Sequence, residues 1–124
     1  MTKEPDLKCK DRKINYIEFP ASDIDAVQKF YETCFGWKFV SYGDDYVSFD
    51  DGELTGGFFQ CDKVSTTENG AVLVVLYATD LAAVQHKIMD NGGSLVKETF
   101  SFPGGRRFHF ADPHGNELAV WSDN

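Results

Sequence analysis

No run in these 124 residues approaches the roughly 20 consecutive apolar positions that a membrane-crossing helix needs. Residues 1–13 are also too polar to supply the apolar centre of an export signal. Both absences point to a soluble chain that stays in the cytoplasm. Cysteine is scarce as well: Cys9, Cys34 and Cys61 are odd in number and widely spaced, which excludes a disulfide framework or zinc ribbon and suits a reducing compartment. Basic residues are outnumbered, 12 Lys and Arg against 20 Asp and Glu, for a formal net charge of -8. A phosphate-backbone partner needs a basic footprint, which argues against nucleic acid; a small cationic molecule suits this field better, although an acidic balance is also ordinary for a soluble protein. There is no Gly-x-Ser-x-Gly nucleophile turn. Gly104-Gly105-Arg106-Arg107 precedes a strand-like run rather than a helix, so the N-H cluster that would cradle a phosphate is missing.

What the chain does have is apolar and aromatic material, 42% and 15% of its residues, enough for the core of one domain. It also repeats itself. Residues 21–28 read Ala-Ser-Asp-Ile-Asp-Ala-Val-Gln and residues 78–85 read Ala-Thr-Asp-Leu-Ala-Ala-Val-Gln, identical at five of eight positions with a constant offset of 57. Gly36 and Gly93 keep the same offset. Each copy follows an apolar run and opens a helix, which argues for a duplicated unit.

In the first unit, alternation over residues 14–19 predicts a strand. Ser22 or Asp23 then caps a helix with an apolar stripe of Val27, Phe30, Tyr31 and Cys34, ended by Gly36. Strands follow over 37–42, 46–49 and 54–60, and residues 61–70 read as a linker. In the second unit, the unbroken apolar run 71–77 predicts a strand covered on both faces. Asp80 caps a helix whose buried stripe is Leu81, Val84, Ile88 and Met89, with His86 in solvent. Strands over 94–100, 107–111 and 117–121 complete it, and His114 is expected to be exposed in the turn before the last one. The expected class is α+β, two βαβββ repeats over residues 14–60 and 71–122, preceded by a loosely ordered arm at residues 1–13.

This punctuation resembles the vicinal oxygen chelate superfamily, the glyoxalase, bleomycin-resistance and extradiol-dioxygenase group. Glu18-Phe19-Pro20-Ala21-Ser22-Asp23, Phe30-Tyr31 with Phe35-Gly36-Trp37, and Asp112-Pro113-His114-Gly115-Asn116 carry the resemblance. It implies that each unit curls its sheet into a half-barrel with its helix outside, that paired units leave a concave cavity for a small molecule, and that the protein is a homodimer. Whether the halves pair within one chain or between two stays open.

The resemblance also implies a metal test. Metal-using members place His, Glu or Gln on the inward faces of the first and last strands of each unit. The matching positions here are Tyr16, Val74 or its neighbour Leu73, Gly56 or Gly57, and Ala119. A divalent ion needs several N, O or S donors, and only Tyr16 offers one. Glu18 or Glu117 would serve only after a two-residue slip of register. No metal and no cofactor are expected.

If Tyr16 faces inward, so do Glu18 and, in step with Ala119, Glu117 and Trp121. Two carboxylates facing one cavity could hold a cation or act as acid and base. They could equally be solvated at strand ends or paired with Lys38, Arg106 or Arg107. Should Phe108 and Phe110 pack under a helix, Arg107 and His109 face the cavity, and His109 becomes the acid/base candidate, though a lone strand histidine can also be structural. Of Phe58 and Phe59, one ring belongs in the cavity and the other under the helix. The candidate catalytic residues are therefore His109, Glu18 and Glu117, and the candidate ligand contacts are Tyr16, Phe58, Phe59, Arg107 and Trp121. The favoured function is metal-independent binding of a small aromatic or cationic molecule. The alternatives are a lyase, isomerase or dioxygenase-type enzyme and a partner-binding subunit.

Overall fold

Asp23 and Asp80 start the two helices in the same way. Each sits in extended backbone and its carboxylate accepts the N-H of the residue three further on, Ala26 or Ala83, at 3.1 Å. The computed structural model, which describes residues 9–124, places these caps in two copies of one βαβββ unit. The first eight residues of the expected N-terminal arm lie outside the described residues, and residues 9–13 form an exposed turn closed by Lys13 N-H to the Lys10 carbonyl.

Unit one comprises β1 (Tyr16–Ala21), α1 (Ile24–Phe35), β2 (Lys38–Ser41), β3 (Tyr46–Asp50) and β4 (Thr55–Gln60). Unit two comprises β5 (Val74–Tyr77), α2 (Leu81–Asp90), β6 (Ser94–Phe102), β7 (Gly105–Ala111) and β8 (Glu117–Ser122). Both sheets are ordered alike, β1-β4-β3-β2 and β5-β8-β7-β6, with the first strand parallel to the last. Gly36 ends α1 at φ 71, where its N-H reaches back to the Glu32 carbonyl.

One face of each sheet receives a helix. In unit one that face carries Phe19, Phe49 and Phe58, on which Tyr31 and Trp37 stack, and in unit two it carries Phe108, Phe110, Leu118 and Val120. Fully burying a ring of this size contributes about 1.5–3 kcal/mol. The two helix faces meet: Phe30 and Phe35 of α1 lie 6.0 and 5.9 Å from Phe110, and α1 contacts α2. The core is thus shared, and the opposite face of each sheet turns outward.

The strand over 71–77 begins only at Val74 and is covered on one face: Val74 and Leu76 pack on the core, whereas Val75 and Tyr77 are 41% and 50% exposed because no described residue covers the outward face. Met89 leaves the buried stripe of α2, since Leu81, Val84 and Ile88 at helical spacing already fill the contact and the next position rotates toward solvent.

The Asp112 to Asn116 turn bolts the units together. Asp112 Oδ1 accepts the N-H groups of His114, Gly115 and Asn116, and its Oδ2 accepts the Tyr31 hydroxyl at 2.8 Å. Asn116 donates to the Pro20 carbonyl at 2.8 Å and accepts from Ser65 N-H. His114, expected to be free in solvent, is a second bolt: Nδ1 accepts the Ser22 N-H at 3.1 Å, so Nε2 carries the proton and donates to the Lys63 carbonyl at 2.7 Å. No helix among the described residues is long and apolar enough to cross a membrane.

Candidate functional site

Strand alternation sends Tyr16 and Glu18 of β1, Ser48 and Asp50 of β3, and Gly57 and Phe59 of β4 to the outward face of unit one, opposite to Phe19, Phe49 and Phe58. Tyr46 leans across this face. Its hydroxyl donates to Glu18 Oε2 at 2.9 Å and lies 2.5 Å from the Tyr16 hydroxyl. The lean depends on Gly57, where an added Cβ would overlap the Tyr46 ring and oxygen. Burial, with the hydrogen bonds to Tyr16 and Glu18, pushes the Tyr46 phenol well above its usual range. Beside this triad is a groove of about 590 Å³ lined by unit-one residues alone, among them Tyr16, Val40, Tyr42, Tyr46 and Thr55.

The outward face of unit two is read in cross-strand rows. Tyr77, Trp121, Arg107 and Phe100 stand opposite one another on β5, β8, β7 and β6, and Val75, Ala119, His109 and Lys97 form the next row. Tyr77 and Phe102 flank Trp121 at 5.1 and 6.2 Å. Arg107 lies 5.2 and 5.8 Å from the rings of Phe100 and Phe102. A hollow of about 220 Å³ is lined by Val75, Phe102, Arg107 and Trp121.

Next to it, His109 Nδ1 lies 2.7 Å from Glu117 Oε2, and both residues are buried. Glu117 Oε1 accepts from the backbone N-H and the hydroxyl of Thr67, each at 2.9 Å. Burial alone would raise the Glu117 pKa, but the hydrogen bonds from His109 and Thr67 outweigh it and hold the carboxyl below its usual range. An ionised carboxylate cannot donate, so Nδ1 bears a proton, and in the neutral imidazole Nε2 carries the lone pair. Nε2 is buried and makes no hydrogen bond to any described residue, and the same is true of Arg107 Nε.

The structure therefore sets Tyr16, Glu18 and Phe59 on one outward face and Arg107, His109, Glu117 and Trp121 on the other. Phe58 is corrected: it is fully buried under α1, 5.3 Å from the rings of both Phe19 and Tyr31, because the parity that turns Glu18 outward turns Phe58 inward. The pairing of Glu117 with Lys38, Arg106 or Arg107 is replaced by His109 and Thr67, and Glu18 takes Tyr46. The grooves on the two faces share no residue, so the carboxylates do not face a common cavity within the chain. Tyr46 and Thr67 escaped the sequence reading. The alternation Tyr46, Ser48, Asp50 beside Gly56-Gly57 is the signal that could have found Tyr46, whereas Thr67 lies in an aperiodic linker.

Val74 packs on the core, and an added Cβ at Gly56 would run into the Phe49 ring, so Gly57 is the outward glycine. Gly57 and Ala119 occupy the centres of their rows and bring no donor atom, Val75 is aliphatic, and the Tyr16 hydroxyl is held by Tyr46. These residues do not fit a divalent metal. Among the described residues, no three His, Cys, Asp or Glu side chains come together as a cation site.

Comparisons with known proteins agree with this architecture. Residues 13–120 match the model of the Glyoxalase/Bleomycin resistance protein/Dioxygenase superfamily. A glyoxylase-like domain-containing protein of Didymella fabae is 26% identical over 119 residues, spanning 87% of this chain and 91% of that one. A glyoxalase-related enzyme from Fulvimarina pelagi superposes with a TM-score of 0.75 at 16% identity, over 90% of this chain and 88% of that one. Lactoylglutathione lyase from Agrobacterium tumefaciens gives 0.71 at 18% identity, over 91% and 95%. Identities this low in the solved structures establish the fold alone.

Proposed function

The chain belongs to the Glyoxalase/Bleomycin resistance protein/Dioxygenase superfamily, and from that premise we propose that it is a metal-independent small-molecule binding protein that holds an aromatic or cationic ligand against its outward sheet faces. The observation that carries this reading is the donor set: Gly57 and Ala119 stand at the centres of the two faces, and aromatic rings surround them. Apolar walls with a few fixed polar groups suit small-molecule recognition. Tyr16, Tyr46 and Glu18 supply hydroxyls and a carboxylate on one face, and Trp121, Phe102 and Arg107 supply rings and a guanidinium on the other.

We infer further that a homodimer completes the cavity, the unit-one face of one protomer closing over the unit-two face of its partner. Each groove draws on a single unit, and the exposed Tyr42, Val75 and Tyr77 are the apolar rim such closure would cover. Sedimentation of the purified chain at a dimer mass supports the closure, and a monomer at high concentration counts against it.

A second reading rests on His109 and Glu117. A buried carboxylate that fixes one imidazole nitrogen and leaves the other free is the arrangement of a general base. It would suit proton transfer in a lyase or isomerase, with His109 moving the proton and Glu117 as a positioning residue. Equilibrium dialysis against a panel of aromatic and cationic probes in the presence of a chelator tests the leading reading. Retention with the chelator present supports it, and retention only after a divalent metal is restored contradicts it. Turnover of a retained probe, abolished in His109→Gln while binding persists, would select the enzyme.

A further inference from the structure

Two buried nitrogens without hydrogen-bond partners among the described residues, Arg107 Nε and His109 Nε2, stand two residues apart on β7 and on the same outward face. Folded chains pair nearly all their buried polar atoms, and leaving one unpaired is costly. Two on one strand face, beside a hollow walled by Val75, Phe102 and Trp121, mark a place for a partner from outside the described residues.

The two nitrogens differ in chemistry. Arg107 Nε-H is a donor with no acceptor capacity, and Phe100 and Phe102 hold the guanidinium against the sheet. His109 donates through Nδ1 to Glu117 and in its neutral form offers an acceptor at Nε2. Positions two apart along a strand are separated by about 6.4–6.8 Å, so a ligand that reaches both nitrogens must carry two separate polar groups. Two carboxylates of β8 and the residues just after it have other partners, Glu117 with His109 and Thr67 and Asp123 with the Tyr77 hydroxyl. Lys97, above the Phe100 ring at 4.5 Å, adds a second positive charge to this side of a chain whose net charge is negative.

We propose that this face of unit two is the subsite for an aromatic carboxylate that also bears a hydroxyl. The carboxylate takes the Arg107 guanidinium, the hydroxyl donates to His109 Nε2, and the ring lies against Trp121 and Phe102. The proposal rests on the small-molecule reading above and narrows it from an aromatic or cationic ligand to an anionic aromatic one.

The test is a titration of the full chain, by calorimetry and by nitrogen NMR of the histidines, with 3-hydroxybenzoate, benzoate, phenol and benzyltrimethylammonium at millimolar concentrations. 3-Hydroxybenzoate is expected to bind about tenfold more tightly than benzoate or phenol, and to shift the His109 Nε2 resonance where benzoate does not. Arg107→Met is expected to weaken both carboxylates about tenfold and leave phenol unchanged. His109→Asn is expected to bring 3-hydroxybenzoate and benzoate to equal affinity; should that variant fail to fold, the Nε2 shift in the unaltered chain decides the point. Binding of phenol or the ammonium probe without the carboxylates overturns the subsite and leaves the small-molecule reading standing. Binding of no probe overturns both. If Arg107→Met alters the oligomeric state but not benzoate affinity, the guanidinium belongs to a protein interface and the subsite is refuted.

Discussion

Tyr31 of α1 donates its hydroxyl to Asp112 of the turn before β8, 81 residues later, at 2.8 Å and with no access to solvent at the ring. Burial pushes the Asp112 carboxyl above its usual range, and the donors Tyr31, Asn116, His114 and Gly115 only partly oppose this. Tyr31→Phe removes one of them. The expected result is an Asp112 carboxyl that titrates at still higher pH by carbon NMR, with about 1–3 kcal/mol lost in urea unfolding. An unchanged titration would mean that the hydroxyl does not bridge the units.

Glu117 titrates in the opposite sense. Its folded-state pKa lies below the ordinary value of 4.5, so the stability it contributes is complete at neutral pH and drains away as pH falls below 4.5 toward the depressed value. Glu117→Gln should flatten this part of the acid-unfolding profile, while the same change at exposed Glu98 should leave the profile as it was. Urea midpoints measured down through pH 4.5 decide the matter.

Gly57 carries a steric prediction. Gly57→Ala places a methyl group on the Tyr46 ring, so Tyr46 must leave Tyr16 and Glu18, at a cost of about 1–3 kcal/mol. In a Tyr46→Ala background the same substitution should cost far less, since the obstructing ring is gone. Additive effects in the double variant would contradict the account of the triad.

His114 and His86 give a contrast within one residue type. His114→Ala removes bonds to Ser22 N-H and the Lys63 carbonyl and should cost about 1–2 kcal/mol. His86→Ala on the exposed side of α2 should leave the urea midpoint within error.

What the sequence made legible was local. Asp23, Asp80 and Gly36 announce their helix ends because capping depends on a few neighbouring residues, and the five-in-eight repeat exposes the duplicated unit. Parity within a strand was legible too: once Phe108 and Phe110 are known to lie under the helices, Arg107 and His109 must face outward. Contacts between distant segments were not. Nothing in Thr67 foretells that it caps Glu117, and nothing in Val75 or Tyr77 distinguishes a strand packed on both sides from one awaiting a cover. Phe58 and Phe59 could be told apart only by the register that pairs Glu18 with Gly57.

The central claim is that Gly57 and Ala119 leave the faces of this fold without the donors a divalent ion requires. Elemental analysis of the chain purified without chelators, calibrated to protein concentration, tests it most directly. The account predicts Zn, Ni, Mn and Fe far below one equivalent, with probe binding unchanged by added metal. One equivalent of any of them, retained through dialysis and lost with Tyr16→Phe, would contradict it.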